Sequence, residues 1–245
     1  MGPLQPVESL LILHAVAAAC APWLVVRLGR ASFALLALPP AAGFAYAGWT
    51  GWRGLPVRES TPWAPVAGLE LSFRVDPLAL LMTALVTGVG VLVLCYSARY
   101  FPEGDEGLGR YGGVMVAFAG SMLGLVTADN LLLLYVFWEL TTVFSYLLIG
   151  SDPQSRPSRQ AAMKALTVTT LGGLAMLAGF VLLGQAAGTY RISEIVASPP
   201  GLAPAAVVLV LVGALSKSAI FPFSTWLPAA MAAPTPVSAY LHAAA

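Results

Sequence analysis

Apolar residues fall in runs of roughly 20 separated by short polar stretches, the length at which a helix crosses a ~30 Å hydrocarbon core. The pattern predicts helices over 7–26, 31–49, 76–100, 111–128, 131–150, 161–187 and 205–233, the last broken near residue 222, with an eighth over 236–245 left incomplete. Pro39 and Pro40 should kink the second helix. Asp76 and Pro77 read as an N-cap and first-turn proline for the third, and Asp129 with Asn130 as the turn and cap into the fifth. Residues 50–74 combine prolines, aromatic side chains and mixed charges, so they are expected as a partly extended segment near the headgroups, with Trp49, Trp52 and Trp63 marking the interface. The expected fold class is an all-α integral membrane bundle, a single transmembrane domain over 1–245.

Composition agrees with that pattern: 58% of residues are hydrophobic, 9% are charged, and the mean hydropathy is +0.83. A formal net charge of +1 provides no basic surface for nucleic acid. Cys20 and Cys95 lie in apolar runs and read as small buried hydrophobes. The start, MGPLQPVESL, has no basic flank before its apolar run, so the first helix is expected to be retained rather than cleaved as a signal peptide. With the N-terminus outside, the inner loops hold Arg27, Arg30, Arg99, Arg110, Arg156 and Arg159, against Arg53, Arg58, Arg74 and Arg191 outside. That asymmetry favours a multi-pass protein of the cell membrane with its N-terminus out.

The polar residues inside the apolar runs carry the chemistry. Lys217 stands in VVLVLVGALSKSAIFPFSTWLP, followed by Pro222 and Pro228 as the expected helix break. A lysine at bilayer depth is costly and normally faces a partner or a water-filled cavity. Glu139 lies midway along LLLLYVFWELTTVFSYLLIG, and helical spacing places Tyr135, Glu139, Thr142 and Tyr146 on one face. Glu139 and Lys217 are therefore expected to approach each other, with the carboxylate tuning the proton affinity of the lysine. His242, four residues after Ser238, suits a relay; Lys164, one turn before Thr167, is a further candidate better suited to snorkelling, and His14 reads as structural. No HExxH, His/Cys cluster, glycine-rich phosphate loop or GxSxG occurs, so no metal or cofactor site and no covalent chemistry is expected. Charge movement across the membrane is the chemistry these residues support.

Three stretches carry a family likeness: VDPLALLMTALVTGVGVLVLCYSARYF, DNLLLLYVFWELTTVFSYLLIG and LSKSAIFPFSTWLPAAMAAPTPVSAYLHAA. They resemble the antiporter-like subunits shared by Mrp-type sodium/proton antiporters and the membrane arm of respiratory NADH:quinone oxidoreductase. WELTT and KSAIFPFSTWLP look more like the large A-type member of the Mrp group. The resemblance implies the first half of an inverted-repeat antiporter fold, with Glu139, Lys217 and His242 on the proton path. It also implies other integral membrane subunits as partners and a monovalent cation exchanged for protons. Ile220 and Ser224 depart from it, standing where relatives often have glutamine and histidine. The ending at Ala245, soon after Pro236, is expected to be a truncation before a second repeat. Two other readings fit the residues: a proton-pumping subunit of a redox complex, and a helix bundle in which Glu139 and Lys217 form a static pair.

Overall fold

The computed structural model describes residues 5–54, 56–64, 69–102, 104–105, 107–201 and 203–244, without the side chains of residues 63, 64, 69 and 244. It is a bundle of helices with one two-stranded hairpin. α1 (Pro6–Leu28) ends at Gly29, whose φ of 56° suits the residue without a side chain, and a 3-10 turn at Gly29–Ala31 folds the chain back into α2 (Ser32–Leu36) and α3 (Leu38–Arg53). The expected second helix is interrupted where the kink is expected, with Ala37 itself keeping helical backbone. The break lies at Ala37, and Pro39 and Pro40 sit in the first turn of α3, where a missing N–H costs nothing.

The segment after α3 is more regular than its composition suggested. β1 (Val57–Ala64) and β2 (Leu69–Val75) pair antiparallel, with Val57 opposite Val75 and Ser60 opposite Ser72. Trp49 and Trp52 are exposed, as interface anchors require, while the side chain of Trp63 lies outside the described set. Asp76 then caps α4 (Pro77–Tyr100), accepting from the Ala79 amide at 3.0 Å.

α5 (Leu108–Thr127) is the most enclosed helix, and its glycines let neighbours approach closely: a Cβ at Gly113 would lie 2.7 Å from the Ala18 carbonyl oxygen of α1. It is followed by α6 (Leu131–Ile149) and the 32-residue α7 (Arg156–Ala187), which begins one turn earlier than the apolar pattern suggested because Ser155 caps it on the Ser158 amide. A short α8 (Ile192–Ala197), invisible in the hydropathy pattern, leads into α9 (Pro204–Lys217). The chain then turns through residues 218–225 into the single-turn α10 (Trp226–Ala229) and on to α11 (Thr235–Ala244). Tyr240 of α11 is fully buried and donates to the Val86 carbonyl of α4 at 3.0 Å, fastening the last helix to the bundle.

Among the described residues, five helical stretches are long and apolar enough to cross a membrane: Pro6–Arg53, Pro77–Tyr100, Leu108–Thr127, Leu131–Ile149 and Arg156–Ala187. At 1.5 Å per residue the 14-residue α9 advances only about 20 Å, shorter than a ~30 Å hydrocarbon core.

One end of the bundle is tied by polar contacts. The Asp129 amide donates to Ser72 of β2 at 2.8 Å, the Asp129 carboxylate accepts from the amide and hydroxyl of Ser193 at 2.9 and 2.7 Å, and Arg191 pairs with Glu70. The hairpin, the α5–α6 turn and α8 thereby form one polar layer. Glu59 of β1, 5% exposed, belongs to the same layer and accepts from the Val7 amide at the start of α1 at 2.9 and 3.2 Å. Burial pushes the Glu59 carboxyl above its ordinary value of 4.5, with the Val7 amide partly opposing. A folded-state pKa above the unfolded one means that the native state binds more protons in that interval, so stability falls as pH rises through it. Melting curves of the purified protein from pH 4 upward should show this decline, and Glu59→Gln should flatten it; parallel curves for both proteins would contradict the assignment.

Candidate functional site

Three helices meet at the middle of the bundle. α6 is positioned at its start by Asn130, whose side-chain oxygen accepts from the amides of Leu132 and Leu133 at 2.9 and 3.2 Å, and by the Leu131 amide donating to Tyr190 at 2.9 Å. α7 carries Gly172 and Gly173 where it passes between α6 and α9. A Cβ at Gly172 would overlap the Ser216 hydroxyl of α9, and one at Gly173 would overlap the Glu139 Oε1 of α6. Two adjacent glycines therefore let α6 and α9 converge on one level of α7.

Lys217 is the last residue of α9 and is 6% exposed. Its Nζ donates to Thr141 Oγ1 at 2.8 Å, to Thr142 Oγ1 at 2.9 Å and to the Trp138 carbonyl at 3.5 Å, and it stands 5.3 Å from the centre of the Trp138 ring. Both hydroxyls lie on one turn of α6. Hydrogen bonds to a charged group contribute about 1.5–3 kcal/mol each, comparable with the ~2.5–3.5 kcal/mol that inserting a lysine at the membrane centre costs. The carbonyl end of α9 also favours a cation at its last residue.

The helix break starts at Ser218, four residues before the expected position. Ala219 takes a left-handed backbone with φ of 51°, which ends α9 immediately after Lys217, and Pro222 lies in the turn that follows. Pro228 falls within the short α10. The exposed end of α9 is satisfied from across the break: the indole N–H of buried Trp226 donates to the Ser216 carbonyl at 2.9 Å, and the Ile220 amide donates to Leu215 at 3.1 Å.

Glu139 is half-buried on the same turn of α6 as the lysine's seat. Among the described residues no direct ion pair joins it to Lys217; the two interact through space, and Tyr135 is the polar neighbour of the carboxylate. Its Oε1 and the indole N–H of Trp138 are both buried without a hydrogen-bond partner, side by side over Gly173. The cluster thus holds one amine on neutral oxygens with one carboxyl group within electrostatic reach, inside the helix bundle.

The other expected residues are distributed differently. Thr142 touches Lys217 directly, whereas Tyr146, one turn further along the same face, packs against the main hydrophobic core. Ser238 donates to the Ala230 carbonyl at 3.4 Å, and the exposed His242 bonds the Ser238 carbonyl at 2.7 Å. Neither contacts Lys217. Lys164 is exposed on α7, outside the cluster, as is Thr167. His14 is buried against Gly120 with Nδ1 bonded to the Leu10 carbonyl at 2.7 Å, a structural placement. Thr141, Trp138, Ser216 and the glycine pair do not stand out in the sequence as site residues. A threonine pair beside a mid-span glutamate is the available signal, because adjacent hydroxyls on one turn can both face a single donor.

The arrangement has relatives. The family described as "NADH:quinone oxidoreductase/Mrp antiporter, TM" matches residues 128–245, and the family described as "NADH-Ubiquinone oxidoreductase (complex I), chain 5 N-terminus" matches residues 63–112. The A/B component of a probable K(+)/H(+) antiporter of Rhizobium meliloti is 49% identical over 187 residues, covering 74% of this chain and 19% of that protein. The A component of the Na(+)/H(+) antiporter of Alkalihalophilus pseudofirmus is 46% identical over 194 residues, covering 77% of this chain and 24% of its own length. The chain therefore spans about a fifth to a quarter of these relatives. Among solved structures, the Mrp complex of Dietzia superposes with a TM-score of 0.86 at 38% identity, over 97% of this chain and 26% of the matched one. A chain of the archaeal membrane-bound sulfane sulfur reductase shares the fold, with a TM-score of 0.78 at 21% identity over 95% of this chain and 49% of that one. On these matches and on its helical architecture, the chain is a multi-pass membrane protein that belongs to the antiporter-like family shared by Mrp antiporters and NADH:quinone oxidoreductase, on the side of the large A-type Mrp component.

Proposed function

We propose that this chain forms part of the large subunit of a multisubunit monovalent cation/proton antiporter, with Lys217 as the group that accepts and releases the proton. The observation that carries the reading is the seat of Lys217: a buried amine at the end of a short apolar helix, held by two hydroxyls and a carbonyl rather than by a tight carboxylate pair. Neutral oxygens can bond an ammonium as acceptors, and a hydroxyl can also donate to the neutral amine, so the seat can serve both protonation states. Glu139 stabilises the charged state from a short distance without locking it. His242, Ser238 and Tyr135 then serve as relay or lining groups, and Lys164 as a residue facing whatever packs beside α7.

The names of the relatives support exchange of a monovalent cation for a proton, one being named for potassium and the other for sodium. Sodium is the cation we assign first, in line with the Mrp-like motifs. The chain acts as part of a transporter rather than an enzyme, in the cell membrane, with its N-terminus outside and further integral membrane subunits as partners. The distribution of arginines supports that orientation.

The test uses the complete complex in everted vesicles, with cation-dependent dequenching of a pH-sensitive dye as the readout and native gels as the assembly check. Lys217→Ala should abolish the signal in an assembled complex, and Glu139→Gln should lower it severely. Wild-type dequenching by either variant would overturn the assignment. Removing the seat while keeping the lysine should act differently: Thr141→Val with Thr142→Val strands the ammonium, with an expected destabilisation of about 2 kcal/mol or more and impaired transport. An unchanged melting temperature for the double variant would show that the hydroxyls are dispensable.

A further inference from the structure

A cavity of about 1040 Å³ opens at the end of the bundle where α1 finishes, α2 begins, α4 ends and α5 starts. It lies apart from the Lys217 cluster. Its apolar wall includes Pro22, Val26 and Leu108, and among the described residues its charged lining includes Arg30, Arg99, Arg110 and Asp105. Arg30 belongs to the frame, donating to the Phe101 carbonyl at 3.1 Å across the gap between the α1–α2 turn and the end of α4. Arg99 and Arg110 are exposed, and among the described residues neither has a hydrogen bond or ion pair. Among the described residues, the Arg99 and Arg110 guanidinium groups thus line, with Asp105 and without forming a hydrogen bond or ion pair, a space whose wall includes aliphatic side chains.

The wall is preformed. A Cβ at Gly109 would lie 2.9 Å from the Cα of Pro22, so α1 and α5 are in backbone contact beside the cavity and its shape does not wait for a ligand. The depth is marked by Trp23, 59% exposed next to Pro22, with the Arg27 guanidinium 5.5 Å from its ring centre. An exposed tryptophan with a stacked arginine is characteristic of the headgroup level. A volume of this size is that of a small-molecule site, and apolar walls below a rim of three arginines and one aspartate at the level of Trp23 match a phospholipid: acyl chain on the aliphatic surface, phosphate on the arginines.

We propose that this cavity is a binding site for an anionic phospholipid, whose phosphate is held by Arg99 and Arg110 and whose acyl chain lies along Pro22, Val26 and Leu108. Basic pockets between membrane helices select anionic headgroups because each nearby arginine contributes attraction that a zwitterionic lipid returns only in part. The lipid would brace the α1–α2 turn against the ends of α4 and α5.

The experiment measures lipid retention by the assembled complex. The purified complex is delipidated, incubated with phosphatidylglycerol, phosphatidylethanolamine or inorganic phosphate, and analysed by native mass spectrometry. Wild type should retain phosphatidylglycerol in preference to phosphatidylethanolamine and should not be competed by free phosphate. Arg99→Gln with Arg110→Gln should weaken retention roughly tenfold or more. Val26→Trp, which fills the apolar part without touching the charges, should weaken it as well and keeps the test valid if the double variant does not assemble. Unchanged retention by an assembled variant, equal retention of phosphatidylethanolamine, displacement by free phosphate, or a neighbouring protein found to fill the cavity would each overturn the proposal.

Discussion

A charged amine inside a bilayer must find oxygen atoms, and the architecture around Lys217 follows from that requirement. The ammonium takes three acceptors from a single turn of α6. α9 has to end at the lysine so that its carbonyl end, not another turn of hydrocarbon, surrounds the charge. Ending a helix in the membrane leaves carbonyls without partners, and Trp226 supplies a donor from beyond the break. Gly172 and Gly173 bring the two helices to the same level of α7, because any larger side chain at either position would hold them apart.

The polar layer at one end of the bundle serves the same site from a distance. Asp129 joins the hairpin to α8, Asn130 fixes the first turn of α6, and the Leu131 amide binds Tyr190. The start of α6 is thereby fixed against the hairpin and α8 at one end of the bundle. Packing over Gly172 and Gly173 then brings α6 and α9 together against α7. Thr141 and Thr142 sit opposite Lys217 as a result of both.

Much of this is legible in the residues and some is not. Apolar runs of spanning length place α1, α4, α5, α6 and α7, since hydropathy reports burial in lipid directly. The second span reads as one helix kinked by two mid-run prolines, and its interruption falls at Ala37, just before them, with helical backbone kept at Ala37 itself. The hairpin over 57–75 reads only as extended, since its pairing depends on contacts with Ala128 and Asp129 far along the chain. At the site, Glu139 and Lys217 stand out in any apolar run, and their proximity follows from the cost of burying either alone. The intermediary is what the residues do not display. Charge attraction suggests a direct pair, yet Thr141 and Thr142 hold the lysine while Glu139 rests over Gly173. The small-residue notch that allows this is a property of three helices together, and no single helix displays it.

A static charge and a cycling charge need different amines, and that difference tests the account most directly. Lys217→Arg keeps a cation at the end of α9 and keeps donors for Thr141, Thr142 and Trp138, but a guanidinium does not release its proton at any working pH. The measurement is cation-dependent proton movement by the assembled full-length complex in everted vesicles, compared between wild type and Lys217→Arg at equal assembly. Loss of transport in the arginine variant is the predicted result; near wild-type transport would show that a fixed charge suffices and would contradict a proton-carrying Lys217.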